Sequence, residues 1–67
     1  MSLGELILKF LQENGESTVD NIFEELQDYT EKHTINSRIA VLVKEKKVAR
    51  RDQAGKKKPL FRIPKTS

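Results

Sequence analysis

The chain has 67 residues, with 13 lysines and arginines against 10 acids, a net charge of +3 and no cysteine. A chain this short is read as one domain over 1–67 that buries only roughly 60% of its unfolded surface, and without Cys it has no disulfide staple and no thiolate metal site. No apolar run approaches the ~18 residues that a membrane span needs and no signal-peptide core is present, so the expectation is a cytoplasmic protein with no membrane partner.

Leu3, Leu6, Ile7, Phe10 and Leu11 recur at offsets 0, 3, 4, 7 and 8, the spacing of one helix face. Ser2 with Glu5 makes a capping box, and Asn14-Gly15 supplies a stop, so the spacing predicts a helix over 3–14. Glu16-Ser17-Thr18 is a short polar link with room for a stub of strand. Val19, Ile22, Phe23 and Leu26 then predict a second helix over 19–28, capped by Ser17 or Thr18, with Asp20 in the dipole-favoured first turn. Ile35, Ile39, Leu42 and Val43 predict a third over 34–46, with Thr34 as its cap and Asn36, Ser37, Arg38, Ala40 and Lys44 facing outward.

Beyond Lys46 the period changes. Residues 47–52 (KVARRD) and 58–63 (KPLFRI) read as two strands, joined through a loop whose Gly55 suits a positive φ. Pro59 cannot donate to a ladder and belongs at a strand start or edge. Residues 64–67 read as a frayed tail. The fold class is therefore α+β, a three-helix bundle followed by a β-hairpin. Leu8 and Val41 lie off the main stripes, as core edge or as a dimer contact. Tyr29 reads as core edge with its hydroxyl in water.

The net charge hides an asymmetry. Residues 1–31 carry eight acids and one base, whereas residues 32–67 carry twelve bases and two acids. Six of the thirteen residues from Arg50 to Arg62 are cationic: Arg50, Arg51, Lys56, Lys57, Lys58 and Arg62. Such a cluster repels itself unless a polyanion neutralises it. A solubilising loop would also be lysine-rich, but the helix preceding the cluster tips the reading toward nucleic acid.

In order and spacing, TINSRIAVLVKEKKVARR, residues 34–51, resembles the recognition helix and first wing strand of winged helix-turn-helix DNA-binding domains. Thr34, Ile35, Arg38, Ile39, Leu42, Val48, Arg50 and Arg51 match that pattern, and Lys46 stands where Gly is usual. A narrower likeness is to Z-alpha domains, winged helices that bind left-handed nucleic acid and place Asn and Tyr on the third helix, and Pro with Trp in the wing. Asn36 and Pro59 match. Ala40 replaces the Tyr and Phe61 the Trp, so the side chain that packs on the nucleic acid is missing.

These patterns set the functional expectation. Double-stranded DNA is the partner, read by the third helix in the major groove through His33, Thr34, Asn36, Ser37 and Arg38, with Asn36 and Arg38 leading as base contacts. Lys44, Arg50, Arg51 and Arg62 hold phosphates, and Lys56, Lys57 and Lys58 form the tip of the wing. The lone His33 reads as a phosphate contact or a solvated residue, not a metal ligand. The simplest role is a small transcriptional regulator or repressor acting by operator occupancy, which implies a nucleoid-associated location. Binding of Z-form nucleic acid is a further alternative, as is a protein-interaction module docking through the acidic second helix. Acids on that helix (Glu24, Glu25, Asp28) facing a neighbour's basic wing would give a homo-oligomer along DNA. One His, no Cys, no Gly-rich phosphate loop and no clustered acids leave no basis for an enzyme, a metal site or a cofactor.

Overall fold

The first apolar stripe forms helix α1, Leu3–Asn14, with both ends closed as its signals require. The Ser2 hydroxyl accepts from the Glu5 N–H at 3.3 Å, and Gly15, at φ 76°, donates its N–H to the Leu11 carbonyl at 2.8 Å. Helix α2 spans Val19–Leu26 and is capped by Thr18, whose hydroxyl accepts from the Asn21 N–H at 3.2 Å. Ser17, the other candidate cap, is instead buried at 4% exposure, and its hydroxyl donates to the Gly15 carbonyl. The computed structural model describes residues 2–64. The expected tail at 64–67 therefore lies, apart from Pro64, outside the described residues.

α2 is two residues shorter than its pattern suggests. The amides of Tyr29 and Thr30 both turn back to the Leu26 carbonyl, which ends the helix in a tight turn. Tyr29 is thrown into solvent, 73% exposed, and is not the core-edge residue expected; Val41 is exposed as well, whereas Leu8 packs against the core.

Helix α3 spans Lys32–Lys44, two residues earlier at each end than its stripe suggests. Thr34 is not its cap. Glu31 takes the extended cap conformation (φ −95°, ψ 159°), and its carbonyl accepts from Thr34 and Ile35, so the main chain places Lys32 and His33 in the first turn. At the other end Lys46 takes φ 64°. Its N–H donates to Val43 and that of Lys47 to Leu42, the paired bonds of a Schellman cap. The lysine in the usual glycine position thus adopts the glycine conformation.

Strands β1, Ala49–Arg51, and β2, Leu60–Arg62, pair antiparallel with Arg50 opposite Phe61. They are shorter than expected because Pro59 cannot extend the ladder and Gln53 closes the loop. The Gln53 carbonyl accepts from the Lys56 N–H, with Gly55 at φ 75° in the position where a turn needs positive φ, and its side chain donates to the Lys58 carbonyl. Ser17 adds a third edge, exchanging both main-chain bonds with Phe61 at 2.9 and 2.8 Å.

The core is Ile7, Leu11, Ile22, Leu26, Ile35, Ile39 and Leu42 from the helices, with Val48 and Phe61 from the hairpin region. Three helices and an antiparallel hairpin packed on them are the winged-helix arrangement. Phe61, 5% exposed, anchors the wing. Truncating such a residue costs about 3–5 kcal/mol, set against a total stability of about 3–10 kcal/mol for a chain of this length.

Candidate nucleic-acid interface

Strand geometry divides the basic residues of the wing. Successive side chains point to opposite faces, so Arg50 and its partner Phe61 turn toward α3 while Ala49, Arg51, Leu60 and Arg62 turn away. Arg51 is committed on that far face. Its guanidinium holds the Glu16 carboxylate through two bonds, Nε to Oε2 at 2.8 Å and the terminal nitrogen to Oε1 at 2.6 Å. The pair ties β1 to the link between α1 and α2. The Arg51 hydrogen bond, helped by the charges of Arg51 and Arg62, pulls the Glu16 carboxyl below its ordinary value of 4.5, and the carboxylate in turn raises the guanidinium.

On the near face a cleft of about 300 Å³ opens between the start of α2, the first turns of α3 and the wing. Val19, Pro59 and Phe61 form its apolar part, Asn36 projects from α3, and Lys32, Arg50, Lys57 and Lys58 supply four positive charges. A second hollow of about 260 Å³ shares Asn36, Arg50 and Phe61 and continues along α3 past Ala40 and Val43. Asn36, Ala40 and Val43 follow one another at offsets 0, 4 and 7 and so form one face of the helix.

Asp20, in the first turn of α2, forms ion pairs with both Lys32 of α3 and Lys58 of the wing. Its negative charge there also suits the helix dipole. Arg50 pairs with Asp52 across 3.1 Å. Lys57 has no ion-pair partner among the described residues.

The structure therefore brings together four of the site residues expected from sequence: Asn36, Arg50, Lys57 and Lys58. His33, Ser37 and Lys44 form an exposed outward stripe on α3, beside the cleft but not lining it. Arg38 lies on the α1 side of the helix; a Cβ at Gly4 would stand 3.8 Å from its Cδ. Thr34, one turn earlier, shares that side. Lys56 is exposed at the loop and does not line the cleft, and Arg51 and Arg62 sit on the opposite face of the hairpin. Sequence reasoning missed Lys32 and the inward role of Asp20. Lys32 lies one helical turn before Asn36, a signal hidden by starting the helix at Thr34. Glu24 and Glu25 of α2, and Asp28 in the turn after it, are exposed away from the cleft.

A basic cleft between a third helix and a two-stranded wing defines a winged-helix domain whose helix and wing act as one surface. Searches of family models and of curated proteins find no match to the chain. Solved structures do match. The Zalpha domain of PKZ in complex with ds(CG)6 superposes with a TM-score of 0.79 at 32% identity, over 88% of this chain and 89% of that one. The unliganded Zalpha domain of zebrafish PKZ gives 0.82 at 31% identity, over 91% and 89%. The chain belongs to the Zalpha family of winged-helix domains. The two positions that match that family in the sequence and the two that depart from it sit together in three dimensions: Asn36 and Pro59 line the cleft, Ala40 lines the adjoining hollow, and Phe61 lies beneath both.

Proposed function

We propose that this domain binds double-stranded nucleic acid in its left-handed form, through the cleft between α3 and the wing. The observation that carries the reading is the convergence of Asn36, Pro59 and four cations on one side of a Zalpha fold. A relative of this fold was solved with an alternating CG duplex, which supports the same ligand class here.

The chemistry follows from the lining. The four cations replace counterions along a phosphate backbone, which supplies most of the affinity without reading bases. The Asn36 carboxamide both donates and accepts, so it can bond a phosphate oxygen or a base edge. Pro59 offers a stiff apolar surface to sugars and base faces, backed from beneath by the buried ring of Phe61. A left-handed duplex exposes its base edges on a convex surface and gives a helix no major groove to enter. Recognition is then of backbone shape, with the helix and wing gripping a phosphate path from two sides.

The finer role as an operator-occupying repressor calls for a different surface, the outward stripe of His33, Ser37 and Lys44 in a right-handed major groove. Competition between a (CG)6 duplex and a mixed-sequence duplex of equal length separates the two. The left-handed reading expects the alternating duplex to win at every salt concentration. Equal competition, or preference for one mixed sequence, removes it in favour of the groove-reading alternative.

A further inference from the structure

Among the described residues Asp20 is the one carboxylate lining the cleft, and its position is unusual for an acid on a polyanion-binding surface. It is one-third exposed and lies between two ammonium groups carried by different elements, Lys32 on α3 and Lys58 on the wing. The other acids of α2 do not do this: Glu24 and Glu25 are exposed outside the cleft. A backbone phosphate entering the cleft would seek the same two lysines, since both are charged donors at its mouth.

We infer that Lys32 and Lys58 together form one phosphate subsite, and that the Asp20 carboxylate occupies it in the free protein as a built-in competitor for the nucleic-acid backbone. This rests on the duplex-binding reading above. Phosphate and carboxylate are both oxyanions that accept from ammonium groups, so binding exchanges one for the other. During the exchange Asp20 loses its two partners and comes close to a second negative group. Both effects subtract from affinity. The same carboxylate has a compensating use. It screens two cations that would otherwise repel each other across the wing, and so keeps the free hairpin closed on α2.

The arrangement also favours a ligand that reaches both lysines at once. A phosphate that touches only Lys58 must displace Asp20 without the second contact. The subsite therefore discriminates for a backbone path that passes between α3 and the wing, and against loose electrostatic association along the loop.

The test compares Asp20→Asn with Glu24→Gln on (CG)6 and on mixed-sequence duplex DNA. Both changes remove one negative charge from α2, and Asn is also well tolerated in a first helical turn, so thermal unfolding serves as the control for folding. Each exposed ion pair is worth about 0.2–1 kcal/mol, so losing two predicts that Asp20→Asn binds the (CG)6 duplex about 2- to 30-fold more tightly than the unaltered domain. Glu24→Gln shifts affinity by less, through general charge alone. In a Lys32→Ala/Lys58→Ala background the Asp20→Asn gain falls to the size of the Glu24→Gln effect, because the pairs it releases are gone. If Asp20→Asn binds no more tightly than Glu24→Gln, or keeps its gain without the two lysines, the subsite is wrong while duplex binding stands. If the unaltered domain binds neither duplex, both readings fall.

Discussion

Removing the two wing lysines that line the cleft, Lys57 and Lys58, tests the geometry of the interface through its salt dependence. Lys32, Arg50, Lys57 and Lys58 face the cleft, and with Lys32 and Lys58 sharing one phosphate about three phosphates are neutralised on binding. At about 0.9 per phosphate the logarithmic salt slope is about −2.7, and it falls to about −1.8 in Lys57→Ala/Lys58→Ala, where Lys32 and Arg50 remain. Between about 50 and 200 mM salt the unaltered domain then loses about 40-fold in affinity and the double variant only about 12-fold. Lys56 is the neighbour of this pair in sequence but stands outside the cleft, so Lys56→Ala should leave the slope near its original value. Fluorescence anisotropy with a labelled (CG)6 duplex over four salt concentrations gives all three slopes. A slope reduced by Lys56→Ala by half or more of the reduction that Lys57→Ala/Lys58→Ala gives would mean that the loop binds as a diffuse charge, and would refute the placement of the interface.

Three further outcomes follow from particular residues. Ala40 leaves the hollow beside Asn36 open, and Ala40→Tyr should restore an aromatic surface there and tighten duplex binding by about 1–3 kcal/mol, the usual worth of base–aromatic stacking, measured in the same anisotropy assay. Lys46 holds φ 64° at the end of α3, so Lys46→Gly should stabilise the fold by about 0.5–1 kcal/mol in urea unfolding, the left-handed penalty less the glycine entropy cost; a loss of stability would contradict the cap. The Glu16 carboxyl is depressed in the folded state by Arg51, so its contribution to stability is complete above its ordinary value of 4.5 and is lost as pH falls through its lowered folded value. Glu16→Gln should therefore reduce stability near neutral pH and flatten the acid limb of a thermal-stability profile; an unchanged profile would show that the pair does nothing for the wing.

The helices were the most legible part of this chain. α1 falls where its capping box and Gly15 place it, because both of its ends are determined by local chemistry. α3 was less legible at its ends. Its start is set by the Glu31 main chain with no side-chain cap bond, and its end by a lysine in a conformation that sequence rules reserve for glycine. The wing was readable as a hairpin but not in its register. Which of Arg50 and Arg51 faces α3 depends on pairing across an eight-residue loop, and a shift of one residue would exchange them. Asn36, Lys57 and Lys58 were readable as candidate contacts from residue type alone. The role of Asp20 was not, because its partner Lys58 is 38 residues away and only the folded wing brings the two together. Likewise Arg38 looks like a base reader in the sequence pattern, and only the packing of α3 against α1 shows that it lies beside Gly4.

The measurement that tests the central claim most directly is the circular dichroism of an alternating CG duplex titrated with this domain at moderate salt. The account predicts inversion of the duplex spectrum toward the left-handed form as the cleft saturates, with Asn36→Ala inverting it less at equal concentration. Saturable binding that leaves the right-handed spectrum unchanged would contradict it.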